Sequence, residues 1–113
     1  MRDRIGDNQR IIHILEAIEE IIKYTNGIDL IEFKSNSMIK YATIKQMEII
    51  GEAAKNLTET AQLSYPDVEW RQISGLRNIL VHQYFGIDSD LIWQIVRTDI
   101  PILKSKLEKK PIF

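Results

Sequence analysis

The chain has 113 residues, 44% of them hydrophobic and 27% charged, with a net charge of -1 and no cysteine. That length suits one domain with a core of its own, so a single domain over residues 1–113 is expected. The missing cysteine excludes disulfides, thiol catalysis and thiolate metal sites; the charge excludes a broadly basic nucleic-acid surface; and no apolar run reads as a signal peptide or a membrane span, which predicts a cytoplasmic protein with no membrane partner.

The periodicity predicts a first helix over residues 3–25. Ile5, Ile12, Leu15, Ile18 and Ile22 form one stripe, and Ile11, Ile14 and Ile21 widen it. A stripe this broad fits either a helix central to a bundle or one buried partly in a dimer. His13 has no catalytic company nearby in sequence and reads as a surface or boundary residue. Asn26 and Gly27 end the helix, Gly27 in the left-handed capping position. Asp29 suits the cap of a short second helix over residues 30–34, and Ser35, Asn36 and Ser37 break the pattern and offer the next cap.

The third helix is expected over residues 38–60, with Ile39, Ala42, Ile49, Ala53 and Leu57 as its stripe. Its small residues Gly51, Ala53 and Ala54 would admit a close neighbour. Glu48 and Glu52 lie four apart, a spacing compatible with acid–base work or metal binding. Ion pairing with Lys45 and Lys55 on a solvated face is the expectation.

Ser64, Tyr65 and Pro66 break the chain again, and Pro66 suits the first turn of a helix, with Asp67 and Glu69 at its positive end. The helix that follows spans residues 70–85, with Ile73, Leu76 and Leu80 at helical spacing and Gly86 closing it. Asp88 or Ser89 caps the last helix, expected to run to Lys109. Leu91, Ile92, Ile95, Leu103 and Leu107 are its apolar positions, and Pro101 kinks or splits it. Trp93 is expected as a core or interface anchor. Lys104, Lys106, Lys109 and Lys110 make a basic end that favours the helix C-terminus or meets phosphates. No strand period, internal repeat, glycine-rich phosphate loop or zinc-spaced histidine pair stands out. The expectation is an all-α, antiparallel up-and-down bundle of four main helices and one short one.

Chemistry concentrates in the helix of residues 70–85. Asn78 and His82 are four apart and share a face, with Ser74 one turn earlier. Arg77 and Tyr84 share a different stripe. Arg77 and His82 are five apart, hence about 140° apart around one ideal helix. Either the long arginine reaches round, or something packed against the helix completes the site, and a second copy related by a two-fold axis would serve. Singly, each residue has an ordinary structural role. Together they suit phosphodiester cleavage. The histidine moves a proton near neutrality, the guanidinium holds the phosphate and its developing charge, and the asparagine orients either. RNA brings its own nucleophile, the 2′-hydroxyl, so neither a metal nor another cofactor is required.

Arg77-Asn78-Ile79-Leu80-Val81-His82-Gln83-Tyr84 matches the arginine, four residues, histidine, one residue, tyrosine motif of HEPN-domain proteins. The chain resembles, more narrowly, the HepT-like toxins of prokaryotic toxin–antitoxin pairs. Residues 48–55 are similar to that family's third helix, residues 70–85 to its central helix, and Ile92-Trp93 with Asp99-Ile100-Pro101 to its final one. The resemblance implies a helical HEPN bundle that dimerises, bringing two motifs into one cleft. It implies a metal-independent endoribonuclease with Arg77 and His82 catalytic and Asn78 supporting. It also implies a partner, an MntA-like nucleotidyltransferase antitoxin that silences the toxin by transferring AMP to Tyr84, adding charge and bulk at the cleft. The alternative is a non-catalytic module that uses the same cleft to bind a nucleotide or a nucleotidyltransferase.

Overall fold

A computed structural model of the chain describes residues 2–82 and 88–109, with the backbone alone at 2–5 and 78–82. Ile11, Ile14, Ala17, Ile18 and Ile21 recur at helical spacing and are buried to 3% exposure or less, which fixes the inward face of α1 (Arg2–Thr25). Each such isoleucine stabilises the fold by about 1.5–3 kcal/mol. The stripe expected around Ile12, Leu15 and Ile22 is only half-buried. Isoleucine occurs on so many sides of α1 that composition alone does not choose between them. Gly27 then turns the chain at φ +76°, a conformation that side chains resist.

Local capping defines the next elements. Asp29 accepts from the Glu32 N–H at 2.9 Å and starts α2 (Leu30–Ser35). Asn36 ends α2 and caps α3 (Ser37–Lys55), accepting from the Ile39 N–H at 3.1 Å. The inward face of α3 is Thr43, Met47, Ile50, Gly51, Ala53 and Ala54, whereas Ile39, Ala42 and Ile49 are half-buried. The third helix stops at Lys55, short of the expected Thr60. Asn56 Nδ2 donates to the Glu52 carbonyl at 3.0 Å, Leu57 turns inward at 6% exposure, and Thr58 caps a separate α4 (Glu59–Leu63). The Thr58 hydroxyl donates to Asp7 Oδ2 at 2.6 Å and accepts from the Ala61 N–H at 3.2 Å. The break is therefore held from α1, 51 residues upstream in sequence.

Pro66 lies in a turn, ahead of the helix rather than in its first turn, because α5 begins at Trp70 (Trp70–His82). Trp70 anchors that start: its indole N–H lies 3.0 Å from the Gln62 carbonyl and 3.2 Å from the Tyr65 carbonyl. Tyr65 packs edge-on to the indole with ring centroids 6.2 Å apart, and burial pushes its phenol above the usual range. Asp88 caps α6 (Ser89–Gln94) by accepting from the Leu91 N–H at 3.1 Å. One π-helical turn (Ile95–Asp99) separates it from α7 (Ile100–Glu108). Pro101 offers no N–H to the preceding turn, and the chain widens there so that Ile100 bonds back to the Ile95 carbonyl. The expected split is thus a π turn inside a helix that continues to bury Ile95, Val96, Ile100, Leu103 and Leu107.

α3 packs along both α1 and α5, α2 bridges α3 and α6, and α7 returns against α1. The Asp7–Thr58 and Tyr24–Gln46 hydrogen bonds make α1 and α3 antiparallel. Lys34 to Asp90 at one end and Lys106 to the Asp67 carbonyl at the other run the last helix opposite to α5. The result is the expected all-α, HEPN-like bundle, with α4 as an unforeseen addition. Trp93 is a half-buried anchor, 5.1 Å from the fully buried Phe33 ring and beneath the Arg97 guanidinium at 5.2 Å. The basic end is partly engaged, Lys104 pairing with Glu19 at 2.9 Å. No described helix is long and apolar enough to cross a membrane. The expected closure at Phe85 and Gly86, and Lys110, lie outside the described residues.

Two substitutions test this packing by chemical denaturation. Phe33→Ala, which empties the socket between α2 and α6, is expected to cost about 3–5 kcal/mol. Gly51→Ala would put a Cβ 3.0 Å from the Arg77 backbone nitrogen, and is expected to cost about 1–3 kcal/mol through overpacking between α3 and α5.

Candidate active site

The interface between α3 and α5 positions Arg77. Gly51 is buried where the two helices meet; a Cβ there would stand 3.3 Å from Arg77 Cβ and 3.5 Å from the Ile73 carbonyl. The guanidinium therefore emerges beside Glu52, the next residue along α3, and Nη1 lies 2.8 Å from Glu52 Oε2. The other carboxylate oxygen accepts from Asn56 Nδ2 at 3.4 Å. Both partners are about half exposed, 46% for Arg77 and 50% for Glu52, so the pair adds about 1 kcal/mol or less to stability.

Arg77 lies on an open groove of about 530 Å³ that crosses α3 to α1. Arg10 and His13 line it from α1, and Lys45, Glu48, Glu52 and Asn56 from α3 and its end. This corrects one expectation. Glu52 pairs with Arg77 across helices instead of with Lys55 along its own. His13 is a surface residue, as expected, 3.0 Å from the Gln9 side-chain amide, and it shares the groove with Arg77 although nothing in its sequence neighbourhood announces that. Arg10 and Lys45 also reach this groove, and residue spacing gave no signal for either, because they meet only when α1 docks on α3. A second groove, between α5 and α7, is apolar: Val68, Ile73, Leu76, Leu91, Ile95 and Leu103 line it, with Asp99 and Lys106 among its polar residues.

α5 is helical without interruption from Trp70 to His82. The backbones of Arg77, Asn78 and His82 therefore keep helical spacing, and Arg77 and His82 are about 140° apart around the axis. The side chains of Asn78 and His82, and all of Tyr84, lie outside the described residues. Among the described residues no group of three or more His, Asp or Glu is placed to hold a metal ion.

Residues 14–109 match the model of a family described as ribonuclease HepT-like. A candidate RNase of Methanocaldococcus jannaschii is 46% identical over 95 residues, covering 84% of this chain and 87% of that one. A protein of Thermococcus cleftensis named a probable ribonuclease HepT is 41% identical over 96 residues, covering 85% and 87%. A candidate RNase of Caldanaerobacter subterraneus subsp. tengcongensis is 34% identical over 97 residues, covering 86% and 87%. No solved structure matches. With a helical bundle that carries the arginine–histidine motif on one uninterrupted helix, and a family match across that motif, the chain belongs to the HepT-like ribonuclease family of HEPN proteins.

Proposed function

We propose that residues 1–113 form a single HEPN domain that acts as a metal-independent endoribonuclease, the toxin of a type VII-like toxin–antitoxin pair. The observation that carries this reading is the family match over residues 14–109, which includes the whole motif from Arg77 to Tyr84. The composite site belongs to a homodimer. One uninterrupted helix holds Arg77 and His82 on different faces, so a second copy of α5 packed across a two-fold axis would bring an arginine and a histidine to a common phosphate.

In the reaction, His82 accepts the proton of the RNA 2′-hydroxyl or donates one to the departing 5′-oxygen. The 2′-oxygen attacks phosphorus and the bond to the 5′-oxygen breaks, leaving a cyclic phosphate. Arg77 neutralises the charge that builds on the phosphorane oxygens. Asn78 supports the orientation of either group. Adenylylation of Tyr84 by a partner MntA-like nucleotidyltransferase would place a phosphate and a nucleoside beside the cleft and exclude RNA by charge and bulk.

Purified protein is expected to cleave RNA in excess EDTA. Arg77→Ala and His82→Ala are each expected to slow cleavage by about 10²–10⁴-fold while sedimenting as the same dimer as the wild type. Cleavage by both variants at the wild-type rate refutes the composite site. An unmodified dimer that cleaves nothing favours the binding module. Co-expression with an MntA-like nucleotidyltransferase is expected to add whole AMP units to the intact mass, and Tyr84→Phe to abolish the increment.

A further inference from the structure

We infer that Glu52 is the positioning residue for Arg77: its carboxylate orients the guanidinium that grips the scissile phosphate. The inference rests on the ribonuclease reading above and deepens it. Three observations converge on this residue. The ion pair is tertiary, joining α3 to α5 with Nη1 and Oε2 2.8 Å apart. The carboxylate is itself steadied, because Asn56 Nδ2 donates both to Glu52 Oε1 at 3.4 Å and to the Glu52 carbonyl at 3.0 Å. The adjoining Gly51 sets a close approach, since a Cβ there would stand 3.0 Å from the Arg77 backbone nitrogen, tighter than ordinary contact.

The chemistry explains why a carboxylate belongs beside a phosphate-binding group. A guanidinium is a planar fork with five N–H donors. One contact at Nη1 stops the fork from turning and uses only part of its donor set, so the rest is presented to an anion in a fixed plane. Arginine carries several rotatable bonds, and a half-exposed one without a partner samples many orientations. The contact matters through geometry rather than stability, because a pair this exposed is largely screened. The same carboxylate repels the RNA phosphate. Its removal therefore disorders the arginine and at the same time relieves repulsion, and these two effects fall on different kinetic constants.

The test compares wild type, Glu52→Ala and Glu52→Gln on a fluorogenic RNA oligonucleotide, with melting temperature and side-chain nitrogen NMR of Arg77 recorded on each. Glu52→Ala is expected to lower kcat about 10- to 100-fold with KM unchanged or lower and the melting temperature within a few degrees of wild type. Glu52→Gln keeps an oxygen to accept from Nη1 and is expected to recover most of kcat. Wild-type kcat in Glu52→Ala overturns the inference. So does an equal loss in both variants accompanied by lowered melting temperatures, which marks a structural role. The NMR separates this inference from the reading beneath it. If the wild type cleaves no RNA, the ribonuclease reading fails. Glu52 is then still judged by the spectra: restricted guanidinium rotation in wild type and Glu52→Gln, free in Glu52→Ala, supports orientation, and identical spectra in all three refute it.

Discussion

Where α5 crosses α3, the helix backbones are separated by one missing methyl group. The Arg77 nitrogen lies 3.0 Å from where a Cβ on Gly51 would stand, and the other features of the groove follow from that separation. It brings the Arg77 side chain level with Glu52 and Asn56. Arg10 and His13, on the far helix, border the same space. Trp70 holds the other end of α5 through the carbonyls of Gln62 and Tyr65, so the helix is fixed at a close contact and at a hydrogen-bonded anchor. Side chains on rigid helices are placed more precisely than side chains on loops.

The parts of this architecture that were legible in the sequence are local. Asp29, Asn36 and Asp88 act as caps with partners three residues on, and such bonds can be read from neighbours. Gly27 is equally local. The arginine–histidine–tyrosine order is legible because it is a matter of spacing, and the family match spans it. What failed did so for a common reason. The end of α3 and the presence of α4 depend on Asp7 reaching Thr58. The partner of Glu52 depends on α5. The inward face of α1 depends on which side α3 approaches, and an isoleucine-rich helix offers several sides.

The groove also shows why bulk charge was a weak guide. A net charge of -1 says little about a space in which Arg10, Lys45 and Arg77 stand close to Glu48 and Glu52. Charges of both signs at close quarters reduce non-specific attraction of polyanions. Binding there depends on where donors point more than on how many there are.

The link between Asp7 and Thr58 bears on the order in which the chain assembles. The Thr58 hydroxyl accepts from Ala61 locally, so α4 can begin to form alone, but its bond to Asp7 requires a loop to close between residues 51 positions apart. That closure brings the first turns of α1 beside the end of α3, and only then is the segment carrying Gln62 and Tyr65 tied at both ends. Trp70 hangs from that segment. During synthesis the helix bearing Arg77 and His82 emerges after α1 and α3, the two helices whose ends that closure joins.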